Sequence, residues 1–249
     1  MGITVTSRPS HADWDVETIR ATFFTSDLVS PIVSDEWWPK VGGSQPEAVT
    51  RKPVLGLFSA EGPVDNARLH LNVSAGRIDW ISLPQSPEAF ATTALGPYPQ
   101  VEEQFAQRLS GWLELPPISI NRVALGLVLR SKVPNRVAGY QALSRLLLSV
   151  KVDPDKSRAL LYQINRPRKL ESIPGLEVNR LSKWGVVLLK MTMMEGDRRI
   201  SESEFLRLEL DINTDKDSAR DLNKDKKLHA VFRELQSLGQ EIATNGDVQ

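Results

Sequence analysis

The chain of 249 residues contains no cysteine. That excludes a disulfide framework, a thiol nucleophile, Cys-ligated zinc and an iron–sulfur cluster, and it fits a reducing compartment. Histidine is scarce: His11, His70 and His229 are scattered and form no HxH, HxxxH or HExxH spacing. No Walker phosphate loop, dinucleotide-binding glycine fingerprint or G-x-S-x-G elbow is present. Gly42-Gly43 lacks a following Lys and Ser/Thr, and Gly126 and Gly185 stand alone inside apolar runs. No apolar run reaches the ~20 residues of a membrane-spanning helix. The opening residues, MGITVTSRPSHADW, show no basic stretch followed by an apolar one. No signal peptide is therefore expected, and a cytoplasmic protein of bacterial type is.

What is there is an ordinary globular composition, 41% apolar and 25% charged. A chain of this length buries enough surface to fold without a disulfide or metal. The formal net charge of zero hides a strong polarity along the sequence. Residues 120–200 carry 16 Lys and Arg against 6 Asp and Glu, a net of +10; residues 1–119 carry a net of −6 and residues 201–249 a net of −4. Four Asn-Arg pairs lie within the basic stretch: Asn121-Arg122, Asn135-Arg136, Asn165-Arg166 and Asn179-Arg180. Two of the intervals between them are equal, but the residues in between do not match, so no internal repeat follows.

Periodicity gives an element order. A short strand is expected at 3–6 and a helix from about Asp13 to Phe24, with Trp14, Ile19 and Phe23 as its apolar points. Pro31, Pro39, Gly42, Gly43, Pro46 and Pro53 mark residues 30–53 as a long loop. A strand is expected at 54–59. RLHLNV at 68–73 and RIDWISL at 77–83 alternate around Ser74-Ala75-Gly76, the pattern of a β-hairpin; whether Trp80 or Ile81 faces inward is open. Pro99 opens a helix bearing Val101, Phe105, Leu109 and Trp112, which Pro116-Pro117 stops. A long strand at 118–133 precedes a helix capped by Asn135. Strands follow at 159–165, at 176–193 with a bulge or bend near Gly185, and at 205–212. An amphipathic helix from about 216 to 243 ends at Asn245-Gly246. The order predicts an α+β fold, an antiparallel or mixed β-sheet covered by helices and closed by a long amphipathic helix. It forms a single domain over 1–249, with possible halves at 1–117 and 118–249.

The candidate binding residues are Arg166, Arg168, Lys169, Arg180 and Lys183, with Asn165, Asn179 and Arg122 beside them. Arginine's planar fork suits carboxylate and phosphate oxygens. If Arg166 and Arg180 end neighbouring antiparallel strands, their guanidinium groups come close together. Three readings compete: pairing with acids of the same chain such as Glu171, Glu177, Glu209 and Asp211, an interface with an acidic protein, or nucleic acid stacked on Tyr162 and Trp184. The run Asp211-Ile-Asn-Thr-Asp215-Lys-Asp217 opens like a calcium loop, but Lys216 replaces the required glycine and Leu222 the closing Glu. Trp37-Trp38 either pins a loop or offers one indole to a partner.

Five segments carry a resemblance: GRIDW at 76–80, INRVALG at 120–126, YQINRPR at 162–168, FLRLELDIN at 205–213 and the closing amphipathic helix. Together they resemble a sporadically distributed family of bacterial proteins of similar length with no assigned activity, over about half the chain. The resemblance implies no catalytic residue. A patchy distribution implies mobile elements or anti-phage defence. The expectation is a non-enzymatic accessory or binding subunit with a protein partner or a second copy, no cofactor and no membrane. A nucleic-acid or nucleotide binder is the alternative, and an enzyme with a site hidden in sequence the third.

Overall fold

The computed structural model describes residues 13–26, 36–85, 94–114, 118–193, 199–215, 221–223 and 227–247. Among them, eleven strands form one sheet in which every pairing is antiparallel. The strands are β1 (Asp15–Phe24), β2 (Ala48–Lys52), β3 (Leu57–Val64), β4 (Ala67–Ser74), β5 (Arg77–Pro84), β6 (Gly96–Pro97), β7 (Arg122–Val133), β8 (Leu161–Asn165), β9 (Arg168–Lys169), β10 (Glu177–Met193) and β11 (Arg199–Thr214). Four α-helices accompany them: α1 (Trp38–Gly42), α2 (Tyr98–Leu113), α3 (Arg136–Leu146) and α4 (Leu228–Asn245). The order across the sheet is β2-β3-β4-β5-β1-β7-β11-β10-β8, with β6 beside β1 and β9 beside β10.

The helix expected at 13–24 is strand β1. Ile19, Ala21 and Phe23 are buried on one face, while Thr18, Arg20 and Thr22 point to the other. Val16, Thr18, Ile19 and Thr22 are β-branched and suit a pleated strand better than a helical turn. A bulge between Val16 and Thr18 in the pairing with β7 shifts the phase near Trp14, which made a helical spacing look plausible. The expected loop at 30–53 contains α1 and β2. The strand expected at 54–59 starts later, at Leu57, after a single 3-10 turn at Pro53–Leu55. The hairpin at 67–84 forms as expected, with Gly76 at φ 73° in its turn. Its phase is now fixed, with Ile78 and Trp80 inward and Ile81 on the opposite face. β10 and β11 pair without any register shift, so no bulge interrupts them at Gly185. The strand expected at 3–6 lies outside the described residues.

The helices rest on one face. Phe23, Trp80 and Trp112 meet there, with ring centroids 4.6 Å apart for Phe23–Trp112 and 6.0 Å for Trp80–Trp112. Trp37 abuts Trp112 edge-on at 5.5 Å, and Trp38 lies 6.3 Å from Trp80. With 4% and 2% exposure, both indoles pin α1 to the core and neither is offered to a partner. The stripe Leu228, Val231, Phe232, Leu235, Leu238 and Ile242 of α4 is buried as its spacing predicted, against β7 and β11. Asn135 caps α3 by accepting from the Ala138 N–H at 2.9 Å. No helix among the described residues is long and apolar enough to cross a membrane.

A groove on the open face of the sheet

The alternation that buries Ile19, Leu125, Leu208 and Trp184 under the helices turns every second residue to the other face. On that face a polar row crosses the strands. Asn165 Nδ2 donates to Asn179 Oδ1 at 2.8 Å, and Asn179 Nδ2 to Asn213 Oδ1 at 3.3 Å. Asn213 Oδ1 also accepts from Arg122 Nη2 at 2.8 Å. The Arg122 guanidinium lies 4.7 Å from the Phe24 ring, which Arg77 approaches from the other side at 5.8 Å. Arg77 in turn grips Asp79 through Nε and Nη2 at 2.7 and 2.9 Å, and Thr22 donates to the same carboxylate at 2.5 Å. Asn165 and Asn179, from two of the four Asn-Arg pairs, therefore lock strands to one another together with Asn213.

Beside this row lies a groove of about 590 Å³. Ile81, Leu83, Val128 and Leu181 give it apolar walls, and Thr18, Gln163, Arg20, Lys183, Glu209 and Asp211 supply polar groups. Its floor is Gly126, paired with Arg20 on β1 and with Asp211 on β11. A Cβ at Gly126 would stand 3.3 Å from Nε and Nη2 of Arg20, so only glycine leaves the guanidinium where it is. Arg20 Nε is buried and has no hydrogen-bond partner among the described residues. An orphaned buried donor of this kind costs about 1–3 kcal/mol. Lys183 pairs with Glu209 at 3.1 Å, and Arg207 reaches the same carboxylate at 3.3 Å.

The arginines expected to form the binding surface lie on the helix-bearing side. Arg166 clasps Asp247 through Nε at 2.5 Å and Nη2 at 2.8 Å. Tyr162 and Ser149 donate to the same carboxylate at 2.6 and 2.9 Å. The Arg166 hydrogen bond holds Asp247 at about 2, below the usual Asp range. Arg168 holds Glu241 bidentately at 2.6 and 2.9 Å. Arg180 is buried, donates to the Arg166 carbonyl at 3.0 Å and lies 3.7 Å from Glu241. Arg166 and Arg180 do end neighbouring strands, as the spacing required, but they close on acids that follow β11 rather than on Glu171 or Glu177. Of the remaining candidates, Lys183, Asn165, Asn179 and Arg122 belong to the open face, and Lys169 is exposed opposite Glu177.

His70 and His229 do not share a site: His70 sits on the open face 2.9 Å from Glu61, and His229 is exposed on α4. His11 lies outside the described residues. Among the described residues no cluster of three His, Asp or Glu side chains could hold a metal ion, and Asp211 to Asn213 are extended strand rather than a loop. Reading 13–24 as a helix concealed Arg20. The available signal was the lone glycine within β7, since a glycine inside a strand marks a close approach of another group. No protein-family model matches the chain, and no curated protein is significantly similar to it.

Proposed function

We propose that the chain is a non-enzymatic binding protein, an accessory subunit of a larger bacterial system, whose recognition surface is the open face of its sheet. The observation that carries this is Arg20, whose buried Nε finds no acceptor among the described residues at the centre of a walled groove. On the same face Arg77, Arg122 and Lys183 are satisfied within the sheet. The groove's size and its mix of apolar walls with a few polar groups also suit ligand binding.

The test compares what the protein retains from extracts of its source cells with what a Gly126→Leu variant retains. A leucine there displaces Arg20 and fills the groove. Molecules kept by the wild type and by Arg233→Ala, an exposed change on α4, but lost by Gly126→Leu support the reading. An unchanged set of retained molecules would overturn it, provided the variant unfolds at the same denaturant concentration.

The nucleic-acid reading keeps one specific support, the aromatic ring of Phe24 between Arg122 and Arg77 on the same face. It predicts oligonucleotide affinity that falls steeply with salt and collapses on Arg122→Glu. Absence of binding at low salt removes it.

A further inference from the structure

Two opposite charges in the groove form no ion pair among the described residues. Arg20 has no ion pair among the described residues, and its guanidinium leans over Gly126. Across Gly126, Asp211 receives one hydrogen bond, from Asn213 Nδ2 to Oδ1 at 3.0 Å, and pairs with no cation among the described residues. The other two charges of the lining, Lys183 and Glu209, cancel each other. The groove therefore presents one positive and one negative centre on either side of a residue with no side chain.

Neighbouring strands are ~4.8 Å apart, so the backbones of Arg20 and Asp211 stand two such spacings apart. Arg20 bends over the intervening glycine, which brings the charged ends within the span of one small molecule. A polyanion is disfavoured, because Asp211 and Glu209 repel every negative charge beyond the one Arg20 accepts. A plain carboxylic acid leaves Asp211 without a cation, and a plain amine leaves Arg20 without an acceptor.

Resting on the open-face reading above and narrowing its ligand, we infer that the groove binds an apolar amino acid, free or as a short peptide. The carboxylate pairs with Arg20, the ammonium with Asp211, and the side chain packs on Ile81, Leu83, Val128 and Leu181.

Calorimetric titration of the full chain tests this with phenylalanine, 3-phenylpropionate and phenethylamine, which share one ring and differ only in charge. Phenylalanine is expected to bind at least about tenfold more tightly than either analogue, the effect of one charge-assisted hydrogen bond. Arg20→Met should reduce phenylalanine to the affinity of the amine, and Asp211→Asn to that of the acid, while Arg20→Lys restores part of the loss. A Phe-Phe dipeptide arm identifies the source: tighter binding of the free amino acid or of the dipeptide both support the zwitterion. Equal affinity for all three single-ring probes, or no binding of any of them to folded wild-type protein, overturns the inference. Binding that ignores both charges would still leave the open face as the recognition surface, whereas failure of that broader reading appears as indifference to Gly126→Leu.

Discussion

Glu102 is a carboxylate that the fold keeps from ionising easily. It is buried between α2 and α4, where Tyr98 Oη and Gln240 Nε2 donate to it at 2.9 and 2.6 Å. Burial pushes its pKa up from 4.5 to about 7, against the lowering effect of both hydrogen bonds. In the unfolded chain it ionises at its ordinary value, so its contribution to stability is complete below about pH 4.5 and is lost as pH rises through 7. The difference is on the order of 3 kcal/mol. Glu102→Gln should flatten the pH dependence of urea unfolding between pH 4.5 and 7 and stabilise the protein above pH 7; an unchanged slope would show that Glu102 is ionised in the fold. Asp247 works in the opposite sense. Its lowered pKa adds stability above about pH 4 that disappears as pH falls toward 2. Neither group was legible beforehand: the burial of Glu102 depends on a helix that comes far later in the chain.

The elements that sequence foretold are those with a clean period on one buried face. The β4–β5 hairpin, α2 and α3 read correctly, as does the buried stripe of α4, because their apolar residues recur at two or at three and four; α4 itself begins at Leu228 rather than near 216, with a turn at 222–223 before it. β1 did not, because Ala21 is too small to mark the alternation and Trp14 lies before the bulge. The tail beyond α4 was legible only as a stop at Gly246. A side chain there would collide with the Leu146 carbonyl, 2.1 Å from its Cβ position, so the glycine lets the chain pass close over the end of α3 and deliver Asp247 to Arg166. Asp247→Asn removes the charge from a carboxylate that holds Arg166, Tyr162 and Ser149 together. It should destabilise the fold by about 1–3 kcal/mol at neutral pH. Denaturant midpoints measure this, and hydrogen exchange should quicken first in β8; exchange unchanged there would mean the tail is not what holds that strand.

Over the whole molecule, the polarity of −6, +10 and −4 along the sequence is folded back on itself. Arg166 and Arg168 meet Asp247 and Glu241, so part of the basic middle is neutralised by the acidic end. Sequence showed the imbalance and permitted such pairing, but the choice of acids depends on where α4 lands, which no local pattern states. Replacing Glu241 and Asp247 together by Ala should strip those arginines of both carboxylates. The variant should then bind heparin or oligonucleotides in a salt-sensitive way that the wild type does not match. Equal retention of the two proteins on a heparin column would show that the cluster carries little net field even without its acids.

β1 is the earliest described strand of the chain, yet it lies in the interior of the sheet, with β5 on one side and β7 on the other. During synthesis its partner β5 emerges soon after it, whereas β7 follows only once α2 has been made. Until then the β1 edge that will pair with β7 is a bare row of backbone donors and acceptors, flanked by Ile19 and Phe23. Ribosomes that stall before Arg122 would release chains whose sticky edge is the very strand that carries Arg20. The cell's chaperones, rather than any ligand, would then be the first to meet that strand.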